Sequence, residues 1–175
     1  EKVLINCENA KFTILGRDGA DFEFLPEVDR SVGISLSQYT LRDMITKTIF
    51  SISSNESNGM MTGELMEIID HHIRMVALDG HRIAMRKSEL KEMYDDRKVI
   101  IPGKTLNEIS KILNGDTEKT ADIFFTEKHI LIAFDDTIVV SRLIEGEYYK
   151  IDKMLSSNYK TKVTCRRKEL LDCLD

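Results

Sequence analysis

The sequence predicts an α+β fold made of duplicated units, each a strand, a helix and a strand meander, with the helices on one face of antiparallel sheet. Three observations carry this expectation. Segments starting at Val32, Val99 and Val163 each run from strand-forming residues through a polar start into an amphipathic helix. Anchored at Leu41, Leu106 and Leu170, they recur at a nearly constant interval of about 65 residues, longer than common solenoid repeats and therefore a mark of half-domains. Short alternating strands separated by turn residues fill the intervals. A curved or ring-like array with helices on one face is expected.

The elements follow in order. Residues 2–7, 11–15 and 21–25 read as an antiparallel meander, with turns at Glu8-Asn9-Ala10 and at 16–19. The first helix is expected over 37–49, because Leu41, Met44, Ile45 and Thr48 share one face while Arg42, Asp43, Thr46 and Lys47 take the other. Residues 61–87 supply a second meander. After Pro102-Gly103 a helix is expected with Leu106, Ile109, Ile112 and Leu113 inward and Lys104, Asn107, Glu108 and Lys111 outward, closed by Asn114-Gly115. Residues 121–144 repeat the meander, with a turn at 126–129. A third helix opens over 166–174, headed by Arg166, Arg167 and Lys168. The chain starts in strand material and stops inside a helix, so both ends are expected to be cuts in a longer protein.

Composition narrows the function classes. The 175 residues are 42% hydrophobic, enough for a core. No apolar run approaches the roughly 20 residues that span a bilayer, and no signal peptide opens the chain, so a soluble cytoplasmic protein is expected. Cys7, Cys165 and Cys173 are odd in number and lack CxxC spacing; reduced, mostly buried thiols are expected rather than disulfides or zinc ligands. A net charge of −5 argues against a surface coated in basic residues, though not against a local basic face.

Family resemblance enters at Leu78-Asp79-Gly80-His81-Arg82-Ile83-Ala84. This stretch resembles the (T)DGHR(L)A signature in the middle domain of the bacterial DNA sliding clamp, the beta subunit of DNA polymerase III. Other motifs agree in order and spacing: residues 48–53 followed by Glu56-Ser57 and Thr62-Gly63, then residues 100–104, then residues 140–146. The resemblance spans essentially the whole chain. It implies the DNA-clamp (processivity) fold, with residues 1–30 ending a first domain, 31–156 forming a complete second and 157–175 opening a third.

That resemblance implies a non-catalytic protein, without cofactor or metal, closing as a head-to-tail homodimer around duplex DNA at the bacterial nucleoid and tethering the polymerase. Topological binding needs only loose contacts to phosphates, so an acidic protein suffices if its inner helices are basic. The implied DNA-facing residues are Arg42, Lys47, Asn55, Lys104, Lys111, Arg166, Arg167 and Lys168; Asp43 and Glu108 dilute this charge, and Gly103 stands where the family often has a basic residue. A second implied surface takes short linear peptides of polymerase subunits, clamp loader and repair proteins. Its wall comprises Met61, Leu78, Gly80, His81, Arg82 and Ile83, with Tyr149, Lys153 and Met154. Met suits promiscuous apolar binding, and Arg with His suits a polar rim. The chain departs from the family at Tyr149-Lys150, in place of Pro-Asp, and at Asn58-Gly59, in place of Arg-Pro. Both changes relax the backbone.

Two other classes compete. Asp70-His71-His72 with Asp79 and His81 has the residue types of a metal or acid–base site, but neighbouring histidines on a strand point to opposite faces. No phosphate-binding glycine loop, nucleophile elbow or zinc-pair spacing is present. The main alternative is a peptide-binding interaction module without a DNA role.

Overall fold

The computed structural model describes residues 2–22, 24, 26–55, 57–155 and 158–174. Strands β1 (Lys2–Cys7) and β2 (Ala10–Leu15) form a hairpin in which Cys7 pairs with Ala10, across a turn holding Glu8 at φ 50°. The third strand expected at 21–25 is absent where described. Gly19–Asp21 is instead a 3-10 turn capped by Asp18, whose carboxylate accepts the Ala20 N–H at 3.0 Å, and Phe22 and Phe24 lie outside any strand. A short polar side chain has captured the local backbone donor. Glu23 and Leu25 fall outside the described residues.

Two strand–helix–meander units then follow, as expected. The first is β3 (Gly33–Ser37), α1 (Gln38–Thr46), β4 (Gly63–Ile69), β5 (His72–Leu78) and β6 (Ile83–Glu89). The second is β7 (Arg97–Pro102), α2 (Gly103–Ile112), β8 (Thr120–Phe125), β9 (His129–Phe134) and β10 (Thr137–Arg142). Their strands exchange. One antiparallel sheet runs β6-β5-β4-β7 and the other β10-β9-β8-β3, so each meander takes the leading strand of the other unit as its fourth member. Neither unit completes its own sheet, which binds the halves into one domain.

Both sheets and both helices share one core. It holds Leu41, Met44 and Ile45 from α1, Leu106 and Ile109 from α2, Met66, Ile68, Ile73 and Met75 from one sheet, and Ile123, Ile130 and Ile132 from the other. Ser37 caps α1 by accepting the Thr40 N–H at 3.1 Å. The buried Gln38 ties α1 to the segment after α2: its Oε1 accepts the Asn114 N–H at 2.9 Å. The helix ends at Thr46, earlier than expected, and a 3-10 turn covers Ile49–Ser51. Thr48 still points inward, with Oγ1 2.8 Å from Met44 O and 2.6 Å from Oε2 of the fully buried Glu64. Glu64 Oε1 has no partner among the described residues, and burial pushes its carboxyl up to about 7.

The start of α2 explains one glycine. A Cβ on Gly103 would stand 2.8 Å from Thr62 O and collide with Ile52 Cδ1, so the position is closed to any side chain and faces the interior. Three further expectations are corrected. Ile112 is half exposed because α2 ends there and Leu113 takes the buried place. All three cysteines are exposed. The strand expected at 163–165 is not formed, although α4 (Arg167–Asp172) follows it. A one-turn helix, α3 (Ile151–Met154), precedes it. No helix among the described residues is long and apolar enough to cross a membrane.

Candidate functional site

Helices α1 and α2 pack against each other, and Arg42 of α1, Lys47 just past its end, and Lys104 and Lys111 of α2 are all exposed. Their charges are not equivalent. Lys47 Nζ lies 2.7 Å from Asp43, and Lys111 Nζ lies 2.8 Å from Glu108. Asp43 also takes Arg86 of β6 at 3.0 Å, and the bonds from Lys47 and Arg86 hold its carboxyl below the usual range. Arg42 and Lys104 make no ion pair among the described residues. Arg86 was not anticipated, because only the tertiary fold brings β6 against α1.

Asn55 stands in the exposed loop before β4, where its Oδ1 accepts the Ser57 N–H at 3.0 Å and closes a tight turn. Arg166, Arg167 and Lys168 head α4, and Arg166 reaches Glu169 at 3.4 Å. All described residues of α4 are exposed, so no packing holds these three side chains against the α1–α2 pair.

A second, smaller apolar cluster lies on the opposite face of the β6-β5-β4-β7 sheet from the main core. Period-2 geometry produces it: Met75 points into the main core, while Val76 and Leu78 point away from it and meet Leu65 of β4. The continuous apolar run Met75-Val76-Ala77-Leu78 is the sequence mark of a strand buried on both sides. Ile151 of α3 inserts into this cluster, and Met61, Ile83, Tyr148 and Tyr149 pack around it half-buried. Four of the nine anticipated peptide-wall residues, Met61, Leu78, Ile83 and Tyr149, are therefore assembled at one place. Leu65, Val76, Tyr148 and Ile151 complete it without having been anticipated.

The other five are not part of this cluster. Gly80, at φ +91°, shapes the turn between β5 and β6. Within that turn Asp79 Oδ1 accepts the N–H groups of His81 at 3.0 Å and Arg82 at 3.2 Å, which holds its carboxyl below the usual range. Arg82 folds back, its Nε 2.9 Å from Asp79 Oδ2 and its guanidinium 5.9 Å above the Phe50 ring. It is thus engaged within its own turn rather than free at the rim. His81 is exposed, as are Lys153 and Met154 of α3. The two departures from the family pattern meet: Tyr149 Oη donates to Asn58 Oδ1 at 3.4 Å, and Asn58 Nδ2 donates to Met61 Sδ at 3.2 Å. Tyr148 donates to Gly63 O at 3.4 Å, and burial pushes its hydroxyl up to about 12.

The histidine-rich segments do not converge. His71 lies in the β4–β5 turn and His72 opens β5, whereas Asp79 and His81 follow its far end. Seven strand residues at about 3.3 Å each separate the two groups by roughly 20 Å.

Comparison with known proteins identifies the family and the fold. The sequence profile of the DNA polymerase III beta subunit, central domain, matches residues 35–150. The beta sliding clamp of Staphylococcus aureus is 33% identical over 174 residues, covering 99% of this chain and 46% of that protein. The crystal structure of a protein described as a DNA polymerase III beta subunit from Eubacterium rectale superposes with a TM-score of 0.90 at 54% identity, covering 99% of this chain and 47% of the other. The sliding clamp of Bacillus subtilis superposes with a TM-score of 0.88 at 30% identity, over 98% and 45% respectively. The chain spans about half the length of the curated relatives it matches. It belongs to the DNA polymerase III beta subunit family, the bacterial sliding clamps, and carries that family's central domain.

Proposed function

We propose that the full-length protein is a processivity clamp that closes as a head-to-tail homodimer around duplex DNA and acts without catalysis in the bacterial cytoplasm. Residues 31–156 are its second domain, flanked by the end of a first and the start of a third. The observation that carries the reading is the packing of α1 against α2 in a chain of this family, with Arg42 and Lys104 uncompensated on their exposed surfaces. Partial neutralisation of Lys47 and Lys111 fits a channel that must tolerate phosphates without gripping them. Asn55 extends this surface through the loop before β4, and Arg166, Arg167 and Lys168 are placed on it through the third domain.

The second part of the reading is that the Leu65–Val76–Leu78–Ile151 cluster, with Met61, Ile83 and Tyr149 around it, receives apolar anchors of short linear peptides from polymerase subunits, clamp loader and repair proteins. Gly80, His81, Arg82, Lys153 and Met154 form its rim. Half-buried Met61, Ile83 and Tyr149 around a buried apolar base supply the kind of apolar lining such a site uses.

The test is retention of the full-length protein on nicked circular DNA after loader-driven assembly, followed by linearisation of the circle. Release on linearisation supports topological linkage. Retention on linear open-ended DNA, or failure to load with a loader proven on another clamp, overturns it in favour of a direct DNA binder or a peptide-binding module.

A further inference from the structure

The one-turn helix α3 carries two rim residues of the peptide surface, Lys153 and Met154, yet has little means of holding its own shape. Four residues are far below the length at which a helix is stable in water, and no side chain caps its N-terminus. Its position must come from contacts with the sheet. Ile151, 2% exposed, supplies one point of attachment in the apolar cluster. One apolar anchor leaves rotation about it free, and a cavity of about 680 Å³, lined in part by Leu65, Arg74, Tyr149 and Lys153, remains between this segment and the sheet.

The second point of attachment is ionic. Arg74 Nη1 lies 2.8 Å from Asp152 Oδ1 and Nη2 lies 3.3 Å from Oδ2, a bidentate pair. Arg74 is itself held from behind by Glu67, whose Oε2 accepts from its Nε at 2.6 Å and whose side chain is only 2% exposed. Lys98 closes the other oxygen of Glu67 at 2.6 Å. Three strands, β4, β5 and β7, thus converge on one guanidinium presented to α3.

We infer that Asp152 is a positioning residue for peptide binding. The Glu67–Arg74–Asp152 relay fixes the rotation of α3 about Ile151 and thereby the rim formed by Lys153 and Met154. At about 100° per residue from the inward Ile151, Asp152 and Met154 flank the anchor on either side and Lys153 lies beyond them, so holding Asp152 against the sheet fixes where the exposed Lys153 and Met154 stand. The inference rests on the peptide-binding reading of this surface. Asp152 itself is three-quarters exposed, so replacing it buries no unpaired charge on its own side.

The experiment uses the full-length protein and a fluorescein-labelled synthetic peptide with leucine and phenylalanine anchors, read by anisotropy, with amide hydrogen exchange over residues 150–155. Asp152→Ala is expected to weaken binding about two- to fivefold, the upper part of the range for an exposed ion pair. Exchange at Lys153 and Leu155 is expected to quicken. Asp152→Glu restores most of the affinity, and Arg74→Lys, which keeps the charge but loses the fork, falls between. Wild-type affinity in Asp152→Ala, while Leu78→Asp abolishes binding, overturns the relay and leaves the peptide surface standing. Equal weakening in Asp152→Ala and Asp152→Glu with unchanged exchange makes Asp152 a direct contact and also overturns it. If the wild-type protein does not bind the peptide, or Leu78→Asp binds as well as wild type, the peptide reading and this inference fall together.

Discussion

Replacing Glu64 by glutamine is expected to stabilise the protein at pH 8 and to change little at pH 5. The Glu64 side chain is fully buried beside Thr48, with one carboxylate oxygen unpartnered, and its carboxyl is raised from 4.5 to about 7. Between those values the folded protein holds a proton that the unfolded chain has released. The contribution of Glu64 to stability is therefore full below about pH 4.5, declines as pH rises towards 7 and is lost above it. At about 1.4 kcal/mol per pH unit, that interval amounts to on the order of 3 kcal/mol. Glutamine is neutral throughout and of nearly the same shape. Urea unfolding of wild type and Glu64→Gln at pH 5, 6, 7 and 8 measures the difference, and other titrating groups cancel because both proteins share them. Expected is a gap within about 1 kcal/mol at pH 5 that widens with pH to roughly 3 kcal/mol in favour of glutamine. A gap independent of pH, or a less stable variant at pH 8, would refute the argument that burial keeps this carboxyl protonated.

Gly103→Ala is expected to lower stability by about 1–3 kcal/mol in thermal melts, because the added methyl meets Thr62 O and Ile52; unchanged melting would contradict the close approach. Gln38→Ala should cost about 1–3 kcal/mol and speed amide exchange at Asn114, whose N–H loses its acceptor inside the fold. On the DNA side, Lys104→Glu should slow loader-driven assembly on nicked circles by roughly threefold or more, whereas Lys111→Ala combined with Glu108→Ala, which removes a compensated pair, should change it little. Equal effects of the two variants would show that the local ion pairs do not set the field of this surface.

Much of the architecture follows from short-range pattern. The stripe Leu41, Met44, Ile45 and Thr48 is buried as its spacing requires, the hairpin turns at Glu8-Asn9 and within 126–129 fall where expected, and the two strand–helix–meander units appear in order. Periodicity reports which face of an element is apolar, and these elements each have one clear face. The family itself was legible through the signature at residues 78–84, which the turn after β5 carries.

Pairing between distant segments was not legible. Nothing local in Gly33–Ser37 says that it joins β8 rather than its own meander, and nothing in Arg97–Pro102 says that it joins β4; the exchange is settled by which sheet edges lie open once the shared core closes. The same holds for Leu65, Val76, Tyr148 and Ile151, which lie far apart in sequence and meet only because a strand buried on both faces needs a second cover. The exposed cysteines and half-exposed Ile112 were misread because apolar character states a preference, while burial depends on whether a neighbour is there to receive it. Sequence alone determined the elements, their order and their inward faces, since these depend on residues a few positions apart. The tertiary structure decided the strand exchange, the pairing that leaves Arg42 and Lys104 uncompensated, and the ionic seat of α3, since each depends on side chains that only a closed core brings within reach.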